Sequence, residues 1–319
     1  MKEVQMYYAN LTNIDLAMFV PGGKLRGDSF NLHVKMSGTE DPEEAVLIDF
    51  STAKKRIKSW IDDHEGQGFD HKCWVTVHPE MGIEVNRFHN DVVEVSTPHT
   101  TVIAPSNCFR ILEVDEQQTL SMCNLIDAWE NAIGDYLVEK FAQDGQAIEI
   151  EVKLTNNMSY PAFCVPELNG FVFRYTHGLK NSTSFGCQNI AHGHISYIAF
   201  EEAPSIWETT SFWPGSRELY SDEIRKIVNE LDGVVFAWSE NVTEVADGWV
   251  TIKYTSSRGA MLQKVKEQDC IILDCETTVE HLAEFVADRY RDILESLGVA
   301  KVYVSEGLEK GGIADVGIR

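Results

Sequence analysis

Two histidines separated by one glycine, His192 and His194 in "FGCQNIAHGHISYIAF" (185–200), are the residues of this chain best suited to chemistry. Alternating residues follow them, so the segment is predicted as a strand, on which positions two apart face the same way. Both imidazoles then project together and can share one cation. Zinc takes nitrogen or sulfur ligands in a tetrahedral shell, and a catalytic zinc keeps one position open for water or substrate. Two histidines leave such a site a ligand short. The nearest candidate is His177 in "FRYTHGL", fifteen residues earlier, at the end of a preceding strand that a hairpin would return to the same face. Cys187, five residues before His192, adds a thiol whose thiolate a neighbouring cation would favour. The same residues also suit a strand with two exposed histidines and a small buried cysteine, and spacing alone leaves both readings open.

The elements that must position these groups read as two copies of one plan. The first copy opens with the strand "SFNLHVKMSG" (29–38), then the acidic turn "TEDPEEA" and a second strand "VLIDF". The helix "STAKKRIKSWIDDH" follows, with Ser51 or Thr52 as N-cap and Ala53, Ile57, Trp60 and Ile61 as its apolar stripe. The second copy opens with "GHISYIAFEE" and continues into the helix "LYSDEIRKIVNELDG", capped at Ser221, with Ile224, Ile227, Val228 and Leu231 inward. In each copy a long β-rich stretch, a second amphipathic helix and a closing strand come next, "AIEIEVKLTN" in one and "VAKVYVSEG" in the other. The boundary falls in "NNMSYPAFCVPELNG", where prolines and glycine interrupt the periodicity, giving modules 1–160 and 161–319. The expected class is α+β, with antiparallel sheets and helices on one face.

At 319 residues the chain suits two domains of about 150 each. Its net charge of -23 disfavours nucleic acid and anionic membranes as partners, while an anionic small molecule can still enter a locally basic pocket. The sequence has no apolar run long enough for a membrane span and a poor secretory signal. Its seven scattered cysteines form no CxxC, which points to a reducing, cytoplasmic setting.

"FRYTHGL … CQNIAHGHISY" resembles the 6-pyruvoyl-tetrahydropterin and 6-carboxytetrahydropterin synthase family, whose members carry F-x-x-x-H-x-L, then Cys, then H-G-H. "VLIDFSTAKKRIKSWIDD…FDHK" is similar to the family's V-I-D-F strand, helix and L-D-H-K turn, and "ETTVEHLAEFVADRY" with "KVYVSE" to its closing segment. The resemblance implies a tunnelling fold, here in tandem, oligomerising into a β-barrel as a homo-oligomer. It implies zinc on His177, His192 and His194, a proton-transferring thiol at Cys187, a pterin-anchoring Glu306 and ring support from Thr277 or Thr278. The implied activity is a lyase on a dihydroneopterin-triphosphate-like substrate, feeding pterin or 7-deazaguanine (queuosine) synthesis.

Each copy departs from the family pattern. Copy two keeps Asp232 but has Gly233 where the family has histidine. Copy one has Arg26 and Asp28 in place of two zinc histidines, Asp15 as the nearest equivalent of the third, and Asn156 in place of the anchoring glutamate. It keeps Asp70 and His71. Arg26 and Asp28, opposite in charge on one strand face, are expected to form a salt bridge. The expectation is a composite site: zinc ligands, thiol and anchor from copy two, the Asp70–His71 pair from copy one. The alternative is a catalytically inactive tandem protein that binds or sequesters a purine- or pterin-like ligand.

Overall fold

The computed structural model describes residues 3–40, 46–115, 120–157, 170–202 and 222–317. The module boundary and the proposed cap Ser221 lie outside these residues. The first half runs β1 (Glu3–Phe19), β2 (Leu25–Thr39), α1 (Phe50–Ile61), β3 (Lys72–Val77), β4 (Glu84–Arg87), β5 (Val92–Ser96), β6 (Thr100–Pro105), β7 (Phe109–Glu113), α2 (Met122–Gln143) and β8 (Ile148–Thr155). The second runs β9 (Phe171–His177), β10 (His192–Glu202), α3 (Asp222–Leu231), β11 (Val234–Trp238), β12 (Val242–Ala246), β13 (Trp249–Ser256), β14 (Gly259–Lys266) and β15 (Cys270–Leu273). It closes with α4 (Val279–Arg289), α5 (Arg291–Ser296), β16 (Val299–Glu306) and β17 (Lys310–Asp315).

The class is α+β, but the sheets are mixed rather than antiparallel. The first has the order β7-β3-β1-β2-β8 and the second β15-β11-β9-β10-β16, with β17 added at its edge. In the first, β1/β3 and β3/β7 are parallel and β1/β2 and β2/β8 antiparallel. In the second, β9/β11 and β11/β15 are parallel and β9/β10 and β10/β16 antiparallel. Order and direction therefore coincide in the two halves. A parallel neighbour needs a long crossover; α1 and α3 provide one, and the β-rich stretches β4–β6 and β12–β14 provide the other. Those stretches join across the halves into a third sheet, β12-β13-β14-β6-β5-β4, through the β14/β6 pairing (Gln263 opposite Val102).

Three cores follow. Ala53, Ile57 and Ile61 of α1 and Leu125, Trp129, Ile133 and Leu137 of α2 bury against the first sheet. Ile224, Ile227, Val228 and Leu231 of α3, with Leu282 and Val286 of α4, do the same on the second. The third core draws Ala17, Cys73 and Val75 from one half and Val235, Ala237 and Ile252 from the other, so it cannot form within either half alone. "VLIDF" is not a strand: residues 46–48 are bends, and Asp49, whose carboxylate accepts from Thr52 N at 2.8 Å, caps α1 in place of Ser51 or Thr52. The second amphipathic helix of the C-terminal half divides at Tyr290 into α4 and α5.

Where β2 crosses β10 the backbones nearly touch. A Cβ on Gly27 would lie 1.8 Å from Tyr175 O and 2.6 Å from His194 N, and one on Gly193 would lie 2.7 Å from Gly27 Cα. The glycine inside "HGH" is there for this approach, which brings the two sheets close enough to share a site.

Candidate metal and proton-transfer site

The β9–β10 hairpin sets His192 directly opposite His177, and His194 follows on the same face. All three rings are fully buried. One ring nitrogen from each lies within 4.8 Å of the others. His177 Nδ1 lies 2.7 Å from Thr277 O, and His192 Nδ1 lies 2.8 Å from Asn189 O. A carbonyl only accepts, so Nδ1 carries the proton in both rings and Nε2 is left as a lone-pair donor. Neither Nε2 has a hydrogen-bond partner among the described residues. Burial, then the neighbouring rings, pushes His177 down to about 3 and His192 well below its ordinary value, so both are neutral. Buried, converging imidazoles, two of them with a free Nε2, are a cation's ligand set, and the residues present fit zinc with its fourth position open.

Cys187 and the Asp70–His71 pair arrive from opposite halves. Asp70 Oδ2 lies 2.6 Å from His71 Nδ1, and His71 Nε2 lies 3.5 Å from Cys187 Sγ. Burial alone would raise the Asp70 carboxyl, but the His71 charge and hydrogen bonds from His64 and His71 hold it well below the carboxylate range. Against the opposing effect of burial, Asp70 and Cys187 raise His71 well above its ordinary value. Burial would likewise raise Cys187; the hydrogen bond and charge of His71 reverse this and lower the thiol. The arrangement is a carboxylate–imidazole–thiol relay beside the histidine cluster, with the His71 and His192 ring centroids 5.3 Å apart. His71 holds φ at 52°, a left-handed backbone strained for a side chain of its kind, where the second half has Gly233 at 78°.

Three participants fall outside the roles expected from sequence. His64 Nε2 lies 2.9 Å from Asp70 Oδ2, a second imidazole on the same carboxylate. Asn189 Nδ2 donates to His71 O at 3.0 Å, tying the relay to the His192 hairpin. Asp15 is the third. Sequence made it the counterpart of His177, but strand register overturns that: Arg26 stands opposite Met18 as His192 stands opposite His177. Asp15 N donates to Asp70 Oδ1 and His71 N to Asp15 O, as Arg174 N donates to Asp232 Oδ1 and Gly233 N to Arg174 O. Asp15 is thus the counterpart of Arg174, and it projects across the junction to lie 3.3 Å from His194 Nδ1. A carboxylate there favours a proton on Nδ1 and leaves Nε2 facing the cluster.

Glu306 comes within 3.7 Å of His194 Nε2 and pairs with Lys310 at 2.7 Å. Burial opposes its ionisation, but His194 and Lys310 hold it down at about 2. Thr277 backs His177 through its carbonyl, and Thr278 stands at the N-cap of α4. The expected salt bridge between Arg26 and Asp28 is present at 2.7 Å.

No family model and no curated protein matches the chain. Among solved structures, it is similar to a catalytic-residue mutant of Plasmodium vivax 6-pyruvoyltetrahydropterin synthase (13% identity, 49% of this chain and 92% of that one, TM-score 0.32). It is also similar to the Plasmodium falciparum enzyme (14%, 48% and 91%, TM-score 0.35) and to an uncharacterized Wolinella succinogenes protein (14%, 46% and 94%, TM-score 0.30). Each likeness covers about half of this chain. No helix among the described residues is long and apolar enough to cross a membrane.

Proposed function

We propose that the chain is a zinc-dependent, pterin-synthase-like lyase acting on a dihydroneopterin-triphosphate-like substrate, through a site built from two synthase-like modules, 1–160 and 161–319. The observation that carries this reading is the 3.5 Å approach of Cys187 Sγ to His71 Nε2, between residues 116 apart in sequence, beside three converging histidines. A thiolate and an imidazolium in contact are matched for proton traffic. Cys187 takes a proton from the substrate side chain, and His71 holds one that it can deliver to an oxygen. Asp70 fixes the His71 tautomer and stabilises its charge. Zinc on His177, His192 and His194 would supply a Lewis acid for side-chain oxygens. Glu306, ionised and held by Lys310, is suited to accept from the N–H edge of a pterin, and Thr277 and Thr278, just before α4, would support the ring. Assembly into a homo-oligomeric barrel belongs to the same proposal, and the strands β8 and β17, at sheet edges among the described residues, support it.

The test is incubation of zinc-loaded protein with dihydroneopterin triphosphate between pH 6 and 9, with products followed by chromatography. Turnover that is lost with Cys187→Ala and His71→Ala supports the reading. Tight binding of unaltered substrate that survives Cys187→Ala would instead establish a binding protein.

A further inference from the structure

The shared strand order places a second cleft in the first half, at the positions corresponding to the histidine site. We propose that this cleft is a binding site for a small oxyanion-bearing molecule, held by Arg26 and Arg174. The inference stands independently of the lyase reading.

The register fixes what replaced what. Arg26 occupies the place of His192, Asp28 that of His194, and Arg174 that of Asp15; Asn156, the residue after β8, holds the register position of Glu306 at the end of β16. Cys123 is the second residue of α2, as Glu280 is of α4. Each exchange except Asp28 removes an acid or a metal-type ligand, and two of them introduce a guanidinium. Guanidinium groups stay protonated at any ordinary pH and repel a cation. The cleft has inverted its charge preference.

It has also stayed open. A cavity of about 350 Å³ remains between the sheet and the start of α2, with Phe30, Met122 and Ile126 as its apolar wall. Asp28 is buried, and its carboxylate is fully engaged. Arg26 Nη2 at 2.7 Å and Arg174 Nε at 3.3 Å reach one oxygen, while Asn156 Nδ2 at 2.6 Å and Ser29 N at 3.1 Å reach the other. Two cations thus share one anion, and Arg26 Nε is buried without an acceptor. The other acid at the cleft, Asp127, is exposed and lies 4.0 Å from Lys153 Nζ, which opposes its charge. In a chain of net charge -23, a cleft that sets two guanidiniums around one buried carboxylate stands out from its surroundings. Paired guanidiniums match the oxygens of a phosphate or a carboxylate, and the apolar wall gives its organic portion a surface. If the pair served only to fill an abandoned metal site, one arginine would have neutralised Asp28.

Cys123 is exposed at the cleft and reports occupancy. Its alkylation by iodoacetamide is followed by peptide mass spectrometry on the full chain at low ionic strength. One arm contains inorganic phosphate, a second contains benzoate, and a control contains sodium chloride of equal ionic strength. Protection of Cys123 in either arm, about threefold once the ligand reaches twice its dissociation constant, with Cys187 modified at an unchanged rate, supports the site. The arm that protects more strongly identifies the anion class. Arg174→Gln leaves Asp28 its bond from Arg26, and so the fold; it should abolish protection, and Arg174→Lys should restore part of it. No protection in either arm, or equal protection in Arg174→Gln or in sodium chloride, overturns the proposal.

Discussion

At the residue scale, the relay makes a signed statement about pH. His71 is raised, so its contribution to stability is complete below the free-histidine value of about 6.5 and is lost as pH rises through its folded value. Asp70 is lowered, so its contribution is complete above about 3.9 and is lost as pH falls through its folded value. Cys187 is lowered by the same imidazolium, so its alkylation by iodoacetamide should begin well below the free-thiol value of about 8.5. His71→Gln should move that profile upward, slowing alkylation at pH 7 by about tenfold for each unit the thiol recovers. Superimposable profiles would disprove the contact. Asp15→Asn should weaken zinc binding by about 10- to 100-fold in chelator competition, because His194 loses the carboxylate that orients it. The histidines and thiol were legible because strand period and hairpin pairing are local rules. Asp15 and His64 were not: what they touch depends on how two distant segments pack, and alignment of the copies pointed Asp15 to the wrong place.

At the element scale, the amphipathic helices were readable because a stripe such as Ile224, Ile227, Val228 and Leu231 identifies a buried face without knowledge of its partner. β1 was missed although it is the centre of its sheet. Its 17 residues carry polar groups that become buried only when the other half covers them, Asp15 among them, so alternation in sequence is blurred. "VLIDF" misled in the other direction: Leu47 and Ile48 pack on the core from a bend, and Asp49 is a cap. Asp49→Ala should lower the midpoint of urea denaturation, the usual effect of losing a capping carboxylate. Gly27→Ala should cost more, about 3 kcal/mol or above, because the new Cβ meets the backbone of β9 and β10 rather than a side chain that can turn away. The same variant should return Cys187 alkylation toward the free-thiol rate, since the crossing of β2 and β10 sets the distance between the relay and the histidines. A tolerated alanine at Gly27 would mean that the sheets do not approach as described.

For the whole molecule, the third sheet and the third core decide how the two halves behave. Residues of both contribute to one apolar cluster, β6 and β14 hydrogen-bond across the halves, and Asn189 ties His71 O and Cys108 O of the first half to the hairpin of the second. A half separated from the other would expose its share of that cluster and one newly unpaired strand, β6 or β14, so the halves should unfold together. Calorimetry of the full chain should show one transition whose van't Hoff and calorimetric enthalpies agree. Asn189→Ala removes the donor from two buried carbonyls at the junction and should cost roughly 1–3 kcal/mol for each, lowering the transition without splitting it. It should also slow Cys187 alkylation at pH 7, because His71 loses the contact that holds its backbone beside the thiol. Two separate transitions in the unsubstituted chain would show that each half carries its own complete core. The relay would then rest on a docking of independent domains rather than on a shared interior.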